Sequence, residues 1–264
     1  MLTIDKDRLL KSIQAVGVRP GDGLLVHSAI QFLGQPTGGM CTYLETLQEL
    51  LGPHGTLAVP AFNFGFARGE PFDPQTTPAV GMGVFSEYVR QQRDARRTPH
   101  PMQSLAVMGY HADDLAQRDT PSAFDPGSAF DRMLDLGFKV LLLGADIDAI
   151  SMLHYCEQRA SVPYRYWKDF RGLVRNGAKW EIRTYRMFVR DLEADPRLSL
   201  APVKTLLQAR DQWYSLPVNY GHIALCQLRH FVAAVDHFLR DDPWSLLTNR
   251  EHVLAHYQGT HPDR

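Results

Sequence analysis

Apolar positions along this chain follow two alternating rhythms. Over residues 4–16 they fall at Ile4, Leu9, Leu10, Ile13 and Val16, near one face of a helix, with Gly17 as its stop. The Arg19-Pro20-Gly21-Asp22-Gly23 cluster is a turn, and the short run 24–26 after it reads as a buried strand. Residues 40–51 return to helical spacing through Leu44, Leu47, Leu50 and Leu51, with Gly52 beyond. Residues 56–60 form a second buried strand, 83–92 a helix, 105–108 a strand, 112–117 a short helix and 129–136 a helix. Residues 139–143 give the strongest strand signal, ending at Gly144, and 151–160 are again helical.

Helix alternating with strand predicts a layered α/β fold with partly parallel pairing. After Pro163 the texture changes. Leu173-Val174 and residues 180–189 carry β-branched and aromatic residues with Arg interleaved, around Asn176-Gly177. That pattern predicts an antiparallel hairpin added to the sheet. Helices over 201–210 and 223–239 close the chain. No repeat, low-complexity stretch or linker stands out. The expected fold class is α/β: a single three-layer domain over residues 1–264, with a central mixed sheet flanked by helices, plus a C-terminal hairpin and helices.

Composition narrows the function. Hydrophobic residues make up 44% and charged residues 22%, which excludes wholesale disorder. The 28 Lys+Arg against 29 Asp+Glu leave a net charge of -1, without the basic field of a nucleic-acid binder. No apolar run approaches the roughly 18 residues of a membrane span. Asp5, Lys6, Asp7 and Arg8 make the first ten residues unlike a signal or transit peptide. Cys41, Cys156 and Cys226 form no CxxC pair, so neither a disulfide framework nor a structural zinc site is expected. A reducing cytoplasm is the expected setting.

Ligands of open α/β sheets bind beyond the carboxyl ends of strands, so the loops after strands carry the candidates. The first strand runs into His27-Ser28, then Gly34 and Gly38-Gly39 ahead of a helix. These glycines either open backbone N–H groups to an anion, with Thr37 or Thr42 capping the helix, or form an ordinary turn. Neither GxGxxG nor GxxxxGK[ST] is present. The strand at 139–143 runs into Gly144, Asp146, Asp148, Ser151, His154 and Glu157. His154 and Glu157 share a helical face, which suits either a histidine base oriented by a carboxylate or a partly buried histidine among surface acids. HExxH is absent, and no metal is expected. Arg96-Arg97-Thr98-Pro99-His100-Pro101 offers two guanidinium groups for phosphate in a rigid loop, with Arg90 and Arg93 upstream on a solvated helix end. Phe62, Phe64 and Phe66 alternate, as strand core or as one wall of a pocket.

Five ordered blocks together resemble the aminoglycoside 3-N-acetyltransferase family. They are Val26-His27-Ser28 with Gly34 and Gly38-Gly39; Gly52-Pro53-His54-Gly55-Thr56-Leu57; Phe72-Asp73-Pro74 with Met82-Gly83; Arg97-Thr98-Pro99-His100-Pro101 with Ser104; and Val140-Leu141-Leu142-Leu143-Gly144 with Ser151-Met152-Leu153-His154-Tyr155-Cys156-Glu157. The resemblance is close over residues 5–165 and loose beyond. Ser151 stands where the family has Thr, and Ala29-Ile30 where it often has another Ser or Leu.

The resemblance implies acetyl transfer from acetyl-CoA to the 3-amino group of an aminoglycoside antibiotic, as in resistance. His154 would be the general base and Glu157 its acid, with Asp146 or Asp148 orienting the imidazole and Ser28 or Ser151 near the oxyanion. It places CoA along His27, Ser28, Ala29, Ile30, Gly34, Gly38, Gly39, Arg97, His100, Pro101 and Ser104, and the acceptor near Phe64, Asp73 and Glu157. It implies a monomer or homodimer acting on small molecules, with no nucleic-acid or membrane partner. N-acylation of a nucleotide-linked amino sugar, or of another biosynthetic amine, is the alternative; a non-catalytic acyl-CoA binder is a third reading. Acids dominate residues 111–157 and bases dominate 158–190. Either these blocks face an amine and a phosphate, or they neutralise each other across the fold.

Overall fold

The computed structural model describes residues 2–260. In chain order its elements are β1 (Thr3–Ile4), α1 (Lys6–Ala15), β2 (Gly23–Ser28), β3 (Gln35–Pro36), α2 (Cys41–Leu51), β4 (Thr56–Pro60), α3 (Val84–Arg90), β5 (Arg96–Arg97), β6 (Leu105–Gly109), α4 (Ala112–Ala116), α5 (Ala129–Asp135), β7 (Lys139–Leu143), α6 (Leu153–Ala160), β8 (Arg165–Asn176), β9 (Lys179–Arg190), α7 (Ala201–Ala209), β10 (Tyr214–Val218), β11 (Gly221–Gln227), α8 (Leu228–Asp241) and α9 (Arg250–Thr260). The expected elements up to residue 160 are all present, with ends moved by a residue or two. Helix α1 starts where Asp5 accepts a hydrogen bond from Arg8 N at 2.8 Å, a side-chain N-cap.

Seven strands form the central sheet in the order β10-β11-β7-β2-β4-β6-β5. β7, β2 and β4 run parallel at its centre, and antiparallel neighbours flank them on both sides. Alternate residues of the central strands enter different cores. Leu24, Val26, Leu141 and Leu143 pack with α1, α2 and α3, while Leu25, Val140 and Leu142 pack with Phe130, Leu207, Phe231 and Val253. The sheet is thus the middle of three layers. Among the described residues, no helix is long and apolar enough to cross a membrane.

Two expectations about the C-terminal third are corrected. The hairpin β8–β9 is a separate two-stranded sheet and does not extend the central one. It is pinned by a small core of Phe66, Phe72, Met102, Val174 and Tyr185. Phe72 bonds β8 at Leu173 and Arg175, and Pro121 accepts from Arg186 of β9. Its remaining faces carry Lys and Arg that no buried sheet could cover. The second correction is at 223–239, where a strand and a helix stand in place of one helix. β11 pairs between β10 and β7 and its two faces enter the two cores, so Ile223, Ala224, Leu225 and Cys226 are all buried. A run that is apolar on both faces has no period to separate strand from helix.

Candidate functional site

β2, β4 and β7 end side by side at Ser28, Pro60 and Leu143, and this edge carries the site. The link from β7 to α6 starts at Gly144. Its φ of +74° and the approach of Ala29 O, 2.5 Å from any added Cβ, leave room only for glycine. A 3-10 turn (Ile147–Ala149) follows, capped by Asp146. Ser151 then bonds to His27 at the end of β2: its backbone N–H donates to Nε2 at 3.0 Å, and its Oγ also lies 3.0 Å from that atom. His27 Nε2 is therefore an acceptor and Nδ1 carries the proton. Burial pushes the His27 pKa down to about 3, so the ring is a neutral clamp between β2 and the start of α6.

His154 and Glu157 lie three residues apart on one face of α6. His154 Nδ1 and Glu157 Oε2 are 2.8 Å apart. The histidine side chain is 33% exposed and the glutamate side chain 0%. Burial alone would raise the Glu157 pKa, but the hydrogen bond to His154 and the charge of Arg165 outweigh it and hold the carboxyl ionised. Arg165 Nη2 reaches the same Oε2 at 2.9 Å and lies 3.2 Å from His154 Nδ1. Since Arg165 only donates, and the carboxylate only accepts, the shorter contact decides the tautomer. Nδ1–H donates to Glu157 and Nε2 keeps its lone pair.

Arg165 is the site residue that spacing could not find. It lies in the next element, beyond a helix end closed by Ser161 at φ 48° and by Val162 N bonding Glu157 O. That left-handed turn reverses the chain and returns Tyr164 and Arg165 to Glu157. The one sequence signal is its place at the head of the Arg-rich block. Phe124 was also missed; its ring packs edge-on to His154 at 5.8 Å.

The other candidates divide. His27, Ser28, Ser151, His154 and Glu157 come together at the sheet edge. The Ser28 hydroxyl there is buried with no hydrogen-bond partner among the described residues. Phe64 is exposed and is joined to His154 through the ring contacts Phe62, Phe130 and Phe124; Phe62 and Phe66 are buried in two separate cores, and none of the three lies in a strand. Gly38 and Gly39 precede α2 at positive φ. Neither threonine caps that helix: Met40 is the N-cap, and Thr42 Oγ1 donates back to Thr37 O.

Several expected contacts are corrected. Asp148 accepts from Leu200 N at 2.6 Å, and Asp146 pairs with Lys204 at 3.2 Å while capping Ile147. Neither has a bond to His154, whose imidazole is held by Glu157. Arg97 donates to Ser104 Oγ and to the carbonyls of Thr77 and Ala61, and burial lowers its pKa to about 10. His100 accepts from Gln103 N and lies 3.3 Å from Arg186 O, and burial lowers its pKa to about 4. Pro101 and Ser104 are buried beside them. Arg97 and His100 thus clamp loops together, and their polar atoms are taken up within the fold. Ile30 packs into the core, and a Cβ at Gly34 would meet Leu2 O at 2.7 Å, so both serve the backbone's path. Asp73 ties the hairpin tip through Arg175 at 2.9 Å. A cavity of about 370 Å³ lies beside it, but Arg175 and Arg183 there are already paired with Asp73 and Asp119. Arg183–Asp119 and Arg165–Glu157 join the basic block to the acidic one, so much of that charge is neutralised within the fold.

Known proteins resemble this chain in both sequence and fold. Residues 25–240 match the family model of aminoglycoside 3-N-acetyltransferase. The chain is 30% identical over 195 residues to aminoglycoside N(3)-acetyltransferase III from Salmonella sp, a match that spans 64% of this chain and 66% of the relative's length. Among solved structures, a mutant of aminoglycoside acetyltransferase AAC(3)-IVa in complex with a gentamicin is 28% identical, covers 95% of this chain and 94% of that one, and superposes with a TM-score of 0.78. AAC-IIIb in its binary complex with CoASH shares the fold, with a TM-score of 0.80 over 91% of this chain and 97% of that one at 23% identity. The chain belongs to the aminoglycoside 3-N-acetyltransferase family.

Proposed function

We propose that this protein transfers an acetyl group from acetyl-CoA to the 3-amino group of an aminoglycoside, with His154 as general base. The observation that carries this reading is the 2.8 Å bond from His154 Nδ1 to a fully buried, ionised Glu157, which leaves Nε2 basic on a ring one third exposed. An acceptor amine is mostly protonated in neutral water. The fraction that has lost its extra proton to solvent attacks, and His154 Nε2 takes the proton that the nitrogen sheds as the N–C bond forms at the thioester carbonyl. Glu157 holds the ring by Nδ1 so that Nε2 is left free to receive that proton. As the C–S bond breaks, the same proton passes from Nε2 to the departing thiolate. Ser28, with its buried unpartnered hydroxyl, is the group best suited to the thioester end of the donor. The relatives support the substrates, since one is solved with a gentamicin and another fold-mate with CoASH. An acetyl-CoA donor implies the cytoplasm as the place of reaction.

The test is release of free thiol from acetyl-CoA across a panel of aminoglycosides. Gentamicin-type acceptors should turn over, and His154→Ala should lower the rate by about 10²–10⁴-fold. Release with a nucleotide-linked amino sugar and none with any aminoglycoside would overturn the acceptor. Undiminished turnover by His154→Ala would overturn the base.

A further inference from the structure

A buried carboxylate stays ionised only beside a cation. If histidine were its single partner, the cation would have to be imidazolium, and an imidazolium cannot accept a proton from an amine. Here a second cation is present. Arg165, 10% exposed in its side chain, contacts Glu157 Oε2 at 2.9 Å, on the same oxygen that receives the histidine. Its other terminal nitrogen donates to Phe188 O at 3.1 Å, which fixes the guanidinium against the base of the hairpin.

We propose that Arg165 is a positioning residue that keeps His154 in its neutral, proton-accepting form by supplying the permanent positive charge that Glu157 requires. This rests on the reading of His154 as the general base. With Arg165 in place the Glu157–Arg165 pair is already neutral, and protonating His154 adds an unmatched charge. The geometry sharpens the effect. Arg165 Nη2 is 3.2 Å from His154 Nδ1, so an imidazolium would set two cations on one oxygen. The same crowding makes the transient imidazolium ready to return its proton to the leaving thiolate.

The elements packed against α6 and the start of β8 bring the nearby charged groups. α6 itself brings Glu157. The segment entering β8 brings Arg165 and the buried Tyr164, whose pKa is raised by burial and by Glu157. β9 places Arg190 opposite Arg165 in the register and gives the Phe188 carbonyl. α5 brings Asp131, which is bonded to Tyr155, and α8 brings Asp236, which is paired with Arg159. The loop before α5 contributes the Phe124 ring, and its Asp125 is bonded to Gln158. Arg165 is thus the cation in direct contact with the pair.

The experiment is an NMR titration of the ¹³C-labelled histidine rings, with the His154 signal identified by its loss in His154→Ala. Arg165→Gln should raise the His154 midpoint by about one pH unit or more, and Arg165→Lys should hold it within about half a unit of the native value. The acid limb of kcat/KM should move with the midpoint. Glu157→Gln, which keeps Arg165, should drop the midpoint below the ~6.5 of a free imidazole. An unmoved or lowered midpoint in Arg165→Gln overturns the proposal, as does a Glu157→Gln midpoint at or above that of a free imidazole. Should either variant fail to fold, the other still decides. These outcomes are read without turnover. Activity retained by His154→Ala would instead remove the base reading and leave the titration to report on Arg165 alone.

Discussion

At the scale of single residues, the two histidines of the site do opposite things because of what surrounds them. His154 faces a carboxylate and solvent; His27 faces a backbone N–H inside the sheet edge. The motif around His27 suggests a contact with cofactor, yet its acceptor nitrogen is committed to Ser151. His27→Ala should therefore cost stability, about 2–4 kcal/mol for the cavity and the orphaned Ser151 N–H together, measured by urea unfolding. It should also lower turnover by loosening the start of α6. Unchanged stability would return His27 to the role of a ligand contact. Spacing made the His154–Glu157 pair legible, since three residues on a helix share a face. No spacing could show that Arg165 completes the pair.

At the scale of elements, the hairpin β8–β9 behaves as an attachment. It has its own small core and is tied by bonds to Phe72 and Pro121, while Phe188 near its base packs against the larger core. Gly172 lies against the Phe66 ring, where an added Cβ would come within 2.8 Å of it. Gly172→Val should push the hairpin off Phe66 while the central sheet stays folded. Limited proteolysis should then cut between residues 165 and 190 faster than in the native chain, with the main thermal transition little changed. Equal protection of the hairpin in both would show that it is held by something other than this small core. The Asn176-Gly177 turn and the alternating residues foretold the hairpin. Its place in the molecule depends on Phe66, Phe72 and Pro121, which no local pattern links to it.

At the scale of the whole molecule, buried histidines make stability depend on pH. Burial holds His27 at about 3 and His100 at about 4, while an unfolded histidine binds its proton near 6.5. Below that value the unfolded chain carries protons the folded one refuses, so acid favours unfolding. His222 and His230, also lowered by burial, act in the same direction. Stability should be fully present above pH ~6.5 and fall by about 4 kcal/mol on going to pH 5, from His27 and His100 together at about 1.4 kcal/mol per unit each. Unfolding free energies measured across that range test this; a flat profile would mean that both rings find a proton acceptor, and half the fall that one of them does. Glu87, held at about 2 by Arg90, adds a loss only below the ordinary carboxylate range.

The sequence by itself determined the three-layer alternation as far as α6, the sheet edge where the candidate site lies, and the pairing of His154 with Glu157 on that helix. These follow from periodicity and short-range spacing, which the local backbone obeys. The tertiary structure decided the rest. It made β11 a strand because β10 and β7 pair with both its edges and the two cores bury both its faces, and it turned Arg97, His100 and Asp73 inward as clamps because polar partners lay within reach. It also set Arg165 on Glu157. Charge and hydrogen-bonding partners are chosen by distance in space, and distance in space between residues far apart in the chain is what a linear pattern does not carry.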